Sequence, residues 1–260
     1  MVRSIQAVIF DMDGVLIDSE PVYLGMQACN LHARCPWVTV ESMYPTVGMS
    51  SQEYPRFMAQ LCRVEQTPEF ENELLLADKN EPIYYPDILR PEVRPMLEEL
   101  QAMGLQLALA SSSPMHNIRQ VLGECGLTEF FSVIVSGEQF EKSKPDPEIY
   151  LHTMEQLGRR PEECLIVEDS TYGVKAGTAA GGIVAALRDD RFPFDQSPAQ
   201  LHIENLREVP AIAACGGKKI RAAFFDIDGT LISMGGHKMP ASLPGALDAL
   251  RKNGAALLLG

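Results

Sequence analysis

Residues 7–16 read Ala-Val-Ile-Phe-Asp-Met-Asp-Gly-Val-Leu, an apolar run that ends in two aspartates separated by one residue. In a buried strand, side chains two apart point to the same side. Asp11 and Asp13 would then stand together at the strand's carboxyl end, where open α/β sheets bind ligands. Gly14 lets the backbone turn sharply just beyond them. Two close carboxylates repel each other unless they share a cation or one takes a proton. A hard divalent ion such as Mg²⁺ suits oxygen ligands of this kind and commonly arrives with a phosphate. In isolation, an Asp-x-Asp is better explained as a strand running into an acidic turn.

The rest of the chain supplies the context. Asp18-Ser19-Glu20-Pro21 reads as a helix start, with a capping side chain, an acid and a proline in order. Helical patterns follow over 21–32, 51–63 and 68–79, with no convincing strand before about residue 85. A block of this size is too long for a loop in a compact domain, so it reads as a helical insert over the first strand's end, able to act as a lid. Strands and helices then alternate: helix 91–103, strand 105–110, helix 115–124, strand 132–136, helix 147–157, strand 164–167, helix 171–180, strand 183–187. Apolar strands in βα order predict a doubly wound parallel sheet covered on both faces.

Three of these strands end in polar residues. Ser111-Ser112-Ser113-Pro114 offers hydroxyls and free N–H groups at a helix start, a ready anion site, or a plain helix cap at Ser113. Lys144 lies in Lys-Ser-Lys-Pro-Asp-Pro, where it is either an ordinary loop lysine or the counter-charge for phosphate and aspartate. Glu168-Asp169 repeats the acid pair, or caps the next helix. Together the four strand ends hold a cation site, a nucleophile, an anion cradle and a positive charge, the parts phosphoryl transfer needs.

In order and spacing these motifs resemble those of the haloacid dehalogenase (HAD) superfamily, most closely its β-phosphoglucomutase-like phosphatases and mutases, over residues 4 to about 205. The insert resembles that superfamily's C1 cap. The resemblance implies a Rossmann-like core and a phosphatase working through an aspartyl-phosphate with Mg²⁺. Asp11 would be the nucleophile and Asp13 the acid and base. Ser111 with the Ser112 N–H would hold phosphoryl oxygens, and Lys144 would offset developing charge. Asp11, the Asp13 carbonyl, Asp169 and Glu168 would place Mg²⁺. Lys79 matches a cap lysine of the substrate site. Where β-phosphoglucomutases carry a histidine this chain has Tyr23, and Gly48-Met49-Ser50-Ser51-Gln52 lacks their phosphate-gripping arginine. Hydrolysis is therefore expected over mutase chemistry, with a small phosphorylated metabolite, a sugar phosphate, as substrate. A hexose-phosphate mutase and a non-catalytic phosphometabolite-binding module are the alternatives.

A second start follows. Residues 219–231, with Asp226 and Asp228, repeat the opening pattern, trailed by a helix over 244–253 and a strand over 255–259. The expected organisation is a HAD-like domain 1–210 (core 1–18 and 88–210, cap 19–87), a linker 211–217, and the beginning of a second HAD-like domain over 218–260. The net charge of −13 argues against a nucleic-acid or anionic-membrane surface. The six cysteines form no Cys-x-x-Cys pair, no stretch is long enough to span a bilayer, and no signal segment opens the chain, so reduced thiols and a cytoplasmic location are expected.

Overall fold

The computed structural model describes residues 4–47, 53–76, 83–217, 222–225, 243–252 and 256–259. Its main sheet has six parallel strands: β1 (Ala7–Phe10), β2 (Gln106–Ser111), β3 (Val133–Ser136), β4 (Cys164–Glu168), β5 (Ile183–Leu187) and β6 (Leu201–Ile203). Their order is β3-β2-β1-β4-β5-β6. Winding runs one way from β1 to β3 and the other way from β4 to β6. The topological switch therefore falls between β1 and β4, where such sheets open a crevice.

Alternating side chains bury both faces. Val8, Phe10, Leu107, Leu109, Leu165 and Val167 form one core, while Ala7, Ile9, Ala108, Ala110 and Ile166 form the other.

Ten α-helices lie among the described residues. Helices α1 (Glu20–Leu31), α2 (Val40–Met43), α3 (Glu53–Cys62) and α4 (Pro68–Leu76) make the insert, which is helical as expected. The core carries α5 (Val93–Ala102), α6 (Met115–Glu124), α7 (Glu148–Leu157), α8 (Thr171–Ala179) and α9 (Val209–Ala214), and α10 (Leu243–Lys252) lies near the carboxyl end. Residues from α5, α6 and α9 join the first core; residues from α7 and α8 join the second, completing three layers.

Three details depart from the sequence expectation. The strand β6 was not anticipated: it has three residues and exposes His202 between Leu201 and Ile203, too short a pattern to read. The segment 211–217 begins inside α9, whose Val209 and Ala213 are buried in the core. The insert's own apolar cluster, with Leu24, Met43, Met58 and Phe70, also takes in Phe192 from the loop after β5. Near the carboxyl end, β7 (Ala222–Phe225) pairs in parallel with β8 (Ala256–Leu259), with α10 between them in sequence. Asp226 and Asp228 lie outside the described residues, as do Lys79 and the segment 48–52.

Candidate active site

The backbone past β1 stays in the ladder for one residue, as the Asp11 N–H donates to the Val167 carbonyl at 3.0 Å. This buries the Asp11 carboxylate at the switch point, where its Oδ1 accepts from Lys144 Nζ at 2.8 Å. Lys144 is not a solvated loop residue: its side chain is 7% exposed. It also donates to Glu168 Oε1 at 2.7 Å and to the Ala110 carbonyl at 3.1 Å, and lies 4.9 Å from the Tyr150 ring centroid. The Tyr150 hydroxyl donates to the same Glu168 oxygen at 2.5 Å. The other Glu168 oxygen accepts from the Asp169 N–H at 3.1 Å and the Ser170 hydroxyl at 3.3 Å. Glu168 therefore uses both oxygens to fix Lys144 and its neighbours.

That inward turn needs an empty space on α8. A Cβ at Gly173 would sit 1.9 Å from the Glu168 carboxyl carbon. Gly173→Ala is expected to cost about 1–3 kcal/mol through overpacking, read by thermal melting, and to displace Lys144 with Glu168.

Asp169 contrasts with Glu168. It is 5% exposed, and three acids, Glu168, Asp11 and Glu20, act on its carboxylate against one lysine, Lys144. Gly14, at φ +76°, passes so close that a Cβ there would lie 2.0 Å from Asp169 Oδ2. Ligand oxygens of Asp11, Glu168 and Asp169 all lie within 4.8 Å of one another. Burial is the main cause that lifts the Asp11 carboxyl to about 7, with Glu168 and Asp13 adding to it and Lys144 opposing. Burial and then Glu168 and Asp11 hold the Asp169 carboxyl well above the ordinary range. Lys144 is the only cation paired with this trio among the described residues. A donor set of hard oxygens with uncompensated charge fits a divalent cation.

Both Asp11 and Asp169 hold protons more tightly folded than unfolded, where aspartate titrates near about 3.9. Their protonated forms therefore favour the fold at low pH, and for Asp11 this contribution fades as pH rises through about 4 to 7. In EDTA the protein should melt several degrees lower at pH 8 than at pH 5.5. Mg²⁺ should recover the difference at pH 8, and Asp169→Asn should flatten both responses. An unchanged slope in that variant would remove the metal-site reading.

Asp13 is held differently. Its Oδ1 accepts the Ser19 hydroxyl at 2.8 Å and its Oδ2 the Ser113 hydroxyl at 2.7 Å. Neither serine caps its helix. Ser19 occupies the N-cap of α1 without a side-chain cap bond, and α6 begins beyond Ser113 with Pro114 at its N-cap. The expected cap at Ser113 is thus replaced by a bond to Asp13. Ser111, buried at the end of β2, accepts the Ser113 N–H at 3.1 Å, while Ser112 stands exposed on the rim. Glu168-Asp169 does not cap α8 either; Ser170 does, accepting the Gly173 N–H at 3.0 Å.

Around Asp13 lie Glu20, Tyr85 and Asn117, none of them a candidate from the sequence, beside Tyr23. Burial, then the nearby Asp13, Asp18 and Asp189, push the Glu20 carboxyl up to about 7. Tyr85 donates to Asn117 Oδ1 at 2.7 Å. The Tyr23 hydroxyl faces this pair, and burial with the adjacent Asp13 raises its pKa. Tyr150 gave no signal because a core aromatic on α7 looks the same with or without a lysine beside it.

The family model of haloacid dehalogenase-like hydrolases matches residues 5–181. The phosphorylated carbohydrates phosphatase of Thermotoga maritima is 32% identical over 193 residues, spanning 72% of this chain and 88% of that protein. Hexitol phosphatase B of Escherichia coli K12 is 33% identical over 198 residues, spanning 68% of this chain and 81% of that protein. Among solved structures, a HAD family hydrolase of Deinococcus radiodurans R1 with bound phosphate and sodium superposes with a TM-score of 0.68. It is 26% identical, and the match covers 82% of this chain and 97% of that one.

Proposed function

This chain belongs to the haloacid dehalogenase-like hydrolases and is a phosphatase of that superfamily, and we propose that it hydrolyses a sugar or sugar-alcohol phosphate through a phosphoenzyme on Asp11. The observation that carries this reading is the division of labour between two carboxylates two residues apart. Asp11 has one oxygen fixed by Lys144. Asp13 has both oxygens on serine hydroxyls.

In the first half-reaction an Asp11 oxygen attacks phosphorus, and the bond to the ester oxygen breaks as Asp13 supplies that oxygen's proton. In the second, Asp13 takes a proton from the water that attacks the phosphoenzyme, and inorganic phosphate leaves with Asp11 restored. Lys144, with the Ser111 hydroxyl and the Ser112 N–H, offsets charge on the phosphoryl oxygens. Asp11, Asp169 and the Asp13 carbonyl are the groups that would hold Mg²⁺, with Glu168 supporting them. Bound there, the ion would neutralise phosphoryl charge and relieve repulsion among the carboxylates.

The substrate class follows the activities named for the Thermotoga and Escherichia relatives. Water is the acceptor, because Tyr23 stands where mutases of this type carry histidine. The test is phosphate release over a panel of hexose, pentose and hexitol phosphates with Mg²⁺ or EDTA. Mg²⁺-dependent release without any bisphosphate activator supports the proposal. Isomerisation that requires such an activator would favour the mutase, and no turnover of any ester would leave a binding module.

A further inference from the structure

Asp18 is the residue through which the core enters the helical insert, and it is gripped from a distance of 173 positions in sequence. Arg191, in the loop after β5, donates from Nη2 to Asp18 Oδ1 at 2.7 Å and from Nη1 to Oδ2 at 3.0 Å. The same guanidinium is braced on Asp189, with Nε at 2.8 Å from Oδ1 and Nη2 at 2.5 Å from Oδ2. A fork on a planar carboxylate fixes direction as well as distance. The Asp18 N–H is held too, by the Ile88 carbonyl at 2.8 Å on the strand of chain returning from the insert. Next door, Phe192 is buried in the insert's apolar cluster and meets Tyr44 edge-on, with ring centroids 5.2 Å apart. One loop of the core therefore clamps both the insert and its entry point.

The residue after Asp18 is Ser19, whose hydroxyl donates to Asp13 at 2.8 Å. We propose that Arg191 is a positioning residue for the proton-transfer step: by fixing Asp18 it sets where Ser19 meets Asp13, and hence how Asp13 faces the departing oxygen. The inference rests on Asp13 being the acid of the hydrolase. Arg191 itself touches none of the reacting groups.

A merely structural ion pair and a positioning residue differ in one measurable respect. An alkyl phosphate needs a proton on its leaving oxygen, whereas p-nitrophenyl phosphate releases a stable phenolate without one. The quantity to compare is kcat/KM, which reports steps up to formation of the phosphoenzyme and excludes its hydrolysis. For Arg191→Met, kcat/KM should fall on the order of 10- to 100-fold on a hexitol phosphate and less than about threefold on p-nitrophenyl phosphate. Arg191→Lys, a point charge without the fork, should fall between wild type and Arg191→Met on the alkyl ester. Asp18→Asn should show the same leaving-group split, and adding it to Arg191→Met should cost little more. Equal losses on both esters, or none on either, would overturn the proposal while leaving the hydrolase reading intact. Absence of wild-type turnover on both esters would instead overturn the hydrolase reading, and this inference with it. Should Arg191→Met not fold, Arg191→Lys and Asp18→Asn carry the same comparison.

Discussion

Asp11→Asn is expected to leave less than about 10⁻⁴ of wild-type turnover on every phosphomonoester, since loss of a covalent nucleophile costs up to about 10⁶ where it has been dissected. The amide is nearly isosteric but is a poor nucleophile, and it cannot carry the phosphoryl group through the cycle proposed above. The fold should survive. The Asp11 carboxyl is already pushed up to about 7, chiefly by burial, so the native structure bears its charge at a cost. Removing that charge leaves Lys144 with Glu168 at 2.7 Å as its remaining ionic partner. Metal-free Asp11→Asn at pH 8 should therefore melt no lower than wild type. Separation of the two readouts is the informative result: lost turnover with an unchanged or raised melting temperature assigns Asp11 to chemistry. Retained turnover would end the covalent mechanism, and parallel loss of both would mean that the carboxylate is structural.

The strand ends were legible because their residues must do two things at once. Asp11, Ser111 and Glu168 each close an apolar run, so the pattern that predicts the strand also places the polar group at its carboxyl end. Three such ends along one chain mark one rim, and the parallel sheet order brings them there. The partners of those residues were not legible. Ser19 and Ser113 have the sequence setting of helix caps, and only the tertiary position of Asp13 diverts their hydroxyls. Arg191 and Asp18 are joined by folding alone. Phe192 looks like a loop residue of the core and is buried in the insert's cluster instead. In each case the backbone preference is local and the hydrogen bond or contact is not.

The same contrast makes Lys144→Met the substitution with the largest combined effect. In the sequence Lys144 is a lysine before a proline; in the fold it is the buried hub between Asp11 at 2.8 Å and Glu168 at 2.7 Å. Methionine keeps much of the volume and removes the charge, leaving two buried carboxylates facing each other without their cation. Breaking a buried pair by deleting one partner typically costs about 3–5 kcal/mol. At about 2–4 °C per kcal/mol in a domain of this size, the metal-free protein at pH 8 should melt on the order of 10 °C lower. The deficit has to shrink at pH 5.5. Without Lys144 the Asp11 carboxyl loses the partner that lowers its pKa, takes up a proton more readily, and the repulsion disappears with the charge. Activity should not recover with stability. Even where Mg²⁺ or lower pH restores the melting temperature, phosphate release should stay about 10²–10³-fold below wild type, the usual cost of losing one group that stabilises developing charge. A variant that regains both together would show that Lys144 only neutralises its neighbours and takes no part in the transfer.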